Sequence, residues 1–189
     1  MPPDGDDDVE LVARAARGDR DALDALLDRH IDRVHTICAR ILANREDALD
    51  ATQEALLAIA RGIGRFDGRS SFTTWLYRVT TNAALDEARR RSRRPMPTAA
   101  LPDPGVDAHL DADVAHRLDL DAALADLPPD FRAALVLRDV ADLDYAQIGT
   151  ILGIPPGTVR SRISRGRAAL ARALGNPATA GRRPTELGS

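Results

Sequence analysis

Apolar positions fall at helical spacing in a series of separate stretches. Val9, Leu11, Val12 and Ala15 predict a short amphipathic helix that Gly18 and Asp19 end. From Asp21 a second stripe carries Leu23, Leu26, Leu27, Ile31, Val34, Ile37, Cys38, Ile41 and Leu42, about six turns with one buried face. A third helix beginning near Arg45 is expected to bury Leu49, Thr52, Leu56, Ile59 and Ile63. A fourth starts at Ser70 or Ser71 and runs through Trp75 and Val79 to the arginines at 89 to 91. Two further helices are predicted over Leu118 to Leu127 and Pro129 to Val140. After them Asp144 is placed to cap a helix, Gly153 supplies the freedom of a turn, and Pro156 opens a second, arginine-bearing helix. This last unit reads as a helix-turn-helix.

The pattern breaks between Arg94 and Arg117, where Pro95, Pro97, Pro102, Pro104 and Gly105 accompany aspartates. That stretch is expected to be a flexible linker, either a passive tether or an acidic strand lying in a basic channel of a partner. The expected architecture is therefore all-α: two small helical domains, residues 8–94 and 117–174, joined by a Pro/Asp-rich linker over 95–116, the second domain containing the helix-turn-helix. The tail, 175–189, is expected to be disordered. Aromatic residues make up only 3% of the chain, and its Ala- and Leu-rich apolar content favours helices over sheets.

Charge changes the picture more than composition does. The net charge of -3 conceals segments of -6 (1–67), +5 (68–94), -7 (95–130) and +5 (131–189). Two basic blocks suggest two contacts with nucleic acid. No Asp or Glu occurs between Asp144 and Glu186, whereas Arg160, Arg162, Arg165, Arg167 and Arg172 do. If Val159, Ile163, Ala169 and Leu170 pack that helix inward, then Arg160, Ser161, Ser164 and Arg165 face outward, where phosphates and guanine edges suit them. A solvated basic helix is the bland alternative. All 26 basic residues are arginine, which genome composition could explain as well as chemistry.

Two other faces suggest tasks. Asp50, Gln53, Glu54, Leu57 and Arg61 align on the third helix opposite its buried stripe, as a protein-docking surface or as an ordinary acidic face would. Four of the six aromatics, Phe66, Phe72, Trp75 and Tyr77, lie within twelve residues beside a basic cluster. Aromatic planes and arginines together hold unpaired bases. Each aromatic alone could equally be core. The single cysteine, Cys38, sits on a buried stripe and excludes an internal disulfide, and four scattered histidines offer no metal cluster. No cofactor or catalytic group is expected, no stretch is long enough for membrane insertion, and a cytoplasmic location is expected.

These motifs resemble those of an extracytoplasmic-function (ECF) bacterial sigma factor of the sigma-70 family, over about residues 8–174. Phe66-Asp67-Gly68-Arg69-Ser70-Ser71-Phe72-Thr73-Thr74-Trp75-Leu76-Tyr77-Arg78-Val79 is similar to the promoter-melting segment. Asp50-Ala51-Thr52-Gln53-Glu54-Ala55 resembles the segment that grips the beta-prime clamp helices of RNA polymerase, and Gly157-Thr158-Val159-Arg160-Ser161-Arg162 with Arg165-Gly166-Arg167 resembles the recognition helix.

The resemblance implies a non-enzymatic initiation factor that binds core RNA polymerase, including its beta flap, and promoter DNA. It implies that Asp50, Gln53, Glu54, Leu57 and Arg61 dock on polymerase. It also implies that Phe66, Arg69, Ser70, Phe72, Trp75, Arg78, Asn82 and Arg89 hold and melt the minus-ten element. Thr158, Arg160, Ser161, Arg162, Ser164 and Arg165 would read the minus-thirty-five element. Ser164 departs from the larger side chain of many relatives, which leaves base preference open. An anti-sigma factor is the implied inhibitor. A stand-alone helix-turn-helix regulator is the competing reading, and it leaves the acidic face and the aromatic block without a task.

Overall fold

A computed structural model describes residues 6–93 and 122–175, and every element within them is helical. In chain order these are α1 (Asp6–Ala16), α2 (Arg20–Leu42), α3 (Arg45–Gly62), a 3-10 turn (Ile63–Arg65), α4 (Phe72–Arg93), α5 (Pro129–Asp139), α6 (Tyr145–Leu152) and α7 (Pro156–Ala173). A helical turn at 122–125 precedes α5. The expected linker over 95–116, the start of the Leu118 helix and the tail beyond 175 lie outside the described residues.

Local chemistry sets the helix ends. Asp19 caps α2 by accepting the Ala22 N–H at 3.1 Å, and Asn44 caps α3 by accepting the Asp47 N–H at 3.0 Å. That backbone hydrogen bond, reinforced by Arg14, holds the Asp19 carboxyl below its ordinary range. Between α2 and α3 the chain turns at Ala43, which adopts a left-handed conformation (φ 50°) and donates its N–H to Ala39.

The N-terminal core lies between α2, α3 and α4, with Leu26, Val34, Ile37, Cys38, Ile41, Ile59 and Leu76 almost fully buried. Burial pushes the Cys38 thiol up to about 11, so it stays protonated and inert at neutral pH. Asp47, buried at the start of α3, meets Arg91 near the end of α4 at 2.6 Å and fixes how far the two antiparallel helices overlap. Three residues expected on buried stripes face outward instead: Val9, Ile31 and Leu49 are 63%, 41% and 49% exposed. A helical period locates the centre of a stripe, and these residues lie at its margins.

Helices α5, α6 and α7 form the second unit, with Leu135, Leu137, Leu143, Ile148, Ile151, Val159 and Ile163 in its core. The two units touch: α5 packs on α2, and α6 packs on α4. At this seam Arg132 is 7% exposed, and its Nη1 reaches the Leu42 carbonyl at the end of α2 at 3.4 Å. Burial, then the nearby Arg91 charge, lower its pKa from the ordinary value. No carboxylate among the described residues pairs with it, so this contact carries a desolvation cost. Arg132→Met is accordingly expected to leave the thermal unfolding midpoint unchanged or raise it; a clear fall, followed by circular dichroism, would show that the charge stabilises the seam.

Candidate nucleic-acid interface

The α3 face is built by what α3 does not bury. Ala48, Ala51, Thr52, Ala55 and Ile59 turn inward, leaving Asp50, Gln53, Glu54, Leu57 and Arg61 all exposed. Leu49, expected in the core, joins them, so Leu49, Gln53, Leu57 and Arg61 follow one another at intervals of four. Two exposed leucines with flanking carboxylates give the face an apolar centre and an acidic rim.

The aromatic block divides into a support and a face. Phe72 is 4% exposed and Tyr77 1%, so both belong to the core, and Phe72 does not reach solvent where a base would lie. Phe66 and Trp75 are half-buried, with ring centroids 5.5 Å apart, and Phe72 lies behind them at 6.1 and 5.8 Å. Trp75 sits directly against α3: a Cβ on Gly62 would fall 3.0 Å from its Cζ2, so a side chain there would have to push the indole aside by a few tenths of an ångström. Around this pair Arg69, Arg78, Asn82 and Arg89 are exposed and Ser70 is half-exposed. Arg69 is held by Asp67 at 3.1 Å and Arg89 by Asp86 at 2.8 Å. Both bridges are solvent-exposed and weak enough to yield to a phosphate.

The helix-turn-helix forms as its residues demand. Asp144 accepts the N–H groups of Ala146 and Gln147 at 2.8 Å, while the Gln147 side chain accepts the Asp144 N–H at 2.9 Å, completing a capping box. Gly153 (φ 65°) ends α6 in the left-handed conformation, and Pro156 opens α7.

On α7 the arginines separate into two kinds. Arg162 pairs with Asp130 on α5 at 3.1 Å and Arg167 pairs with Asp139 at 2.5 Å. Arg160 and Arg165 point outward with Ser161 and Ser164, while Thr158 is half-buried. Arg160 lies over the Tyr145 ring at 5.5 Å, as does Arg138. The tyrosine thereby orients Arg160 without neutralising it. No group of three potential metal ligands occurs among the described residues, and no helix there is long and apolar enough to cross a membrane.

Two family models match this chain: Sigma-70 region 2 over residues 26–94 and Sigma-70 region 4 over residues 117–170. It is 40% identical to the ECF RNA polymerase sigma factor SigM of Mycobacterium tuberculosis over 89% of this chain and 85% of that protein. The chain belongs to the ECF sigma factors. It is also 43% identical to the ECF sigma factor SigE of Mycolicibacterium smegmatis, over 80% of this chain and 62% of that longer protein. Its fold is shared with the sigma factor RpoE of Bartonella quintana, solved in complex with the anti-sigma factor NepR (TM-score 0.63, 23% identity, 79% of this chain and 94% of that one). As a sigma factor it directs RNA polymerase to promoters, and the stand-alone regulator is not favoured.

The sequence signals missed in this sigma factor are long-range ones: the pairing of Arg162 with Asp130, and the support of Phe72 by His30. Because the capping box starts α6, the helix on which α7 packs, Asp144→Ala is expected to cost about 1 kcal/mol of stability. Chemical denaturation of the full chain checks this; an unchanged midpoint would show the cap to be dispensable.

Proposed function

We propose that this sigma factor divides its work among the three exposed faces. The α3 face docks on the clamp helices of core polymerase through Asp50, Gln53, Glu54, Leu57 and Arg61. Phe66 and Trp75, with Phe72 as their support, capture an unstacked minus-ten base, aided by Arg69, Ser70, Arg78, Asn82 and Arg89. The start of α7 reads the minus-thirty-five element. The observation that carries this division is the sorting of α7 arginines: Arg162 and Arg167 are already paired with carboxylates, whereas Arg160 and Arg165 present their charge outward. Arg160, Ser161, Ser164 and Arg165 are therefore the base- and phosphate-reading set, Thr158 borders it, and Arg162 acts by holding α7 on α5.

Polymerase performs the chemistry, so the sigma factor itself needs no catalytic group, and it acts where its DNA lies, in the cytoplasm. The beta flap is a second polymerase contact, and an anti-sigma factor is the inhibitor, a reading supported by the fold shared with RpoE.

The seam between the units bears on promoter binding. Elements centred near minus ten and minus thirty-five are about 25 base pairs apart, roughly 85 Å along B-DNA. Helices in contact lie about 8–10 Å apart axis to axis, and α6 is in contact with α4. Reading both elements at once therefore requires the α5–α7 unit to leave α2 and α4. The 28 residues from 94 to 121 would span at most roughly 100 Å fully extended, enough for that separation.

Arg160→Ala or Arg165→Ala is expected to weaken binding of holoenzyme to a minus-thirty-five fragment by about 1 to 3 kcal/mol while polymerase affinity holds. Unchanged DNA affinity in both variants would remove α7 from this role. The pair Asp50→Arg with Glu54→Arg should abolish co-elution with core polymerase without altering the circular dichroism spectrum; normal assembly would eliminate the α3 face as the dock.

A further inference from the structure

Helix α1 precedes the residues matched by the region 2 family model, which begin at 26, yet it carries a buried carboxylate. Asp8 is 6% exposed. Arg29 Nη1 donates to its Oδ1 at 2.5 Å, and His30 Nε2 lies 3.1 Å from its Oδ2, where a ring N–H donates to the carboxylate. His30 is itself buried, and its ring meets Phe72 edge-on, with centroids 5.4 Å apart and an interplanar angle of 60°. Phe72 in turn backs Phe66 and Trp75. An unbroken run of contacts thus connects α1 to the aromatic face. The same helix also packs on the 3-10 turn 63–65, whose end is Phe66.

A leucine at either buried position would avoid the cost of desolvating a carboxylate and an imidazole. What the polar pair supplies is direction. An imidazole tied through one nitrogen to a fixed carboxylate has its ring plane set, whereas an aliphatic side chain would leave Phe72 free to settle in several ways.

We propose that Asp8 and His30 are positioning residues, which fix the orientation of Phe72 and thereby hold the Phe66–Trp75 face in the geometry that captures a promoter base. This rests on the assignment of Phe66 and Trp75 as that face. Neither residue touches DNA, and the polymerase-docking face of α3 is built without them.

Trp75 is the sole tryptophan of the chain, so its emission reports on the cluster without a label. The test uses Asp8→Asn and His30→Leu in the full chain, reading Trp75 emission without DNA. In holoenzyme it reads core affinity and the fluorescence of 2-aminopurine placed in the minus-ten element. Both variants should shift Trp75 emission and slow promoter opening by about tenfold, the order of one lost charge-assisted hydrogen bond, with core affinity unchanged. Parent-like emission and opening in folded variants would overturn the proposal, as would a parallel loss of core affinity, which marks a purely structural role.

Should a single variant fail to fold, Asp8→Leu combined with His30→Leu removes both polar partners together, and parent-like emission and opening there are equally decisive against it. A Trp75→Leu variant that opens promoters normally would defeat the base-holding assignment instead. Trp75 emission in the DNA-free Asp8 and His30 variants would still show whether those residues position the cluster.

Discussion

The burial of α2 is the constraint on which the other elements depend. This 23-residue helix packs against α1, α3, α4 and α5, and Leu26, Val34, Ile37, Cys38 and Ile41 lose almost all contact with solvent. With aromatics at 3% of the chain, its core is made mainly of Ala, Leu, Ile and Val, whose modest volumes let helices approach closely. Because α3 and α4 spend their apolar faces on α2 and on each other, their remaining faces are left for partners. The acidic leucine-bearing face of α3 and the exposed Arg78–Asn82 side of α4 are consequences of that single burial.

Electrostatics then assigns the arginines. Asp47 on Arg91, Asp8 on Arg29 and Asp130 on Arg162 join parts of the chain distant in sequence. Exposed pairs such as Arg69–Asp67 contribute little to stability and are screened by salt. The guanidinium groups left outward, such as Arg160 and Arg165, have no carboxylate partner among the described residues that would commit them to folding, and in the proposed division of work they attract a polyanion.

What could be read from sequence was local. Asp144, Gly153 and Pro156 act within a few residues of themselves, so the helix-turn-helix was legible, as were the α3 face and the clustering of aromatics. Their orientation was not. Phe66, Phe72 and Trp75 look alike in a string of residues, but only packing against His30 and Gly62 makes Phe72 the support and the others the face. Arg160 and Arg162 likewise differ only because Asp130, far away in sequence, lies beside one of them. Leu49 shows the limit from the other side: helical period placed it inward, and the width of the buried stripe leaves it on the exposed face of α3.

The most direct measurement is co-elution of the purified chain with bacterial core RNA polymerase, followed by run-off transcription from a library of promoter fragments. Stoichiometric association with new start sites that depend on the chain is the predicted result. DNA binding without association with polymerase, and no new start sites, would contradict it.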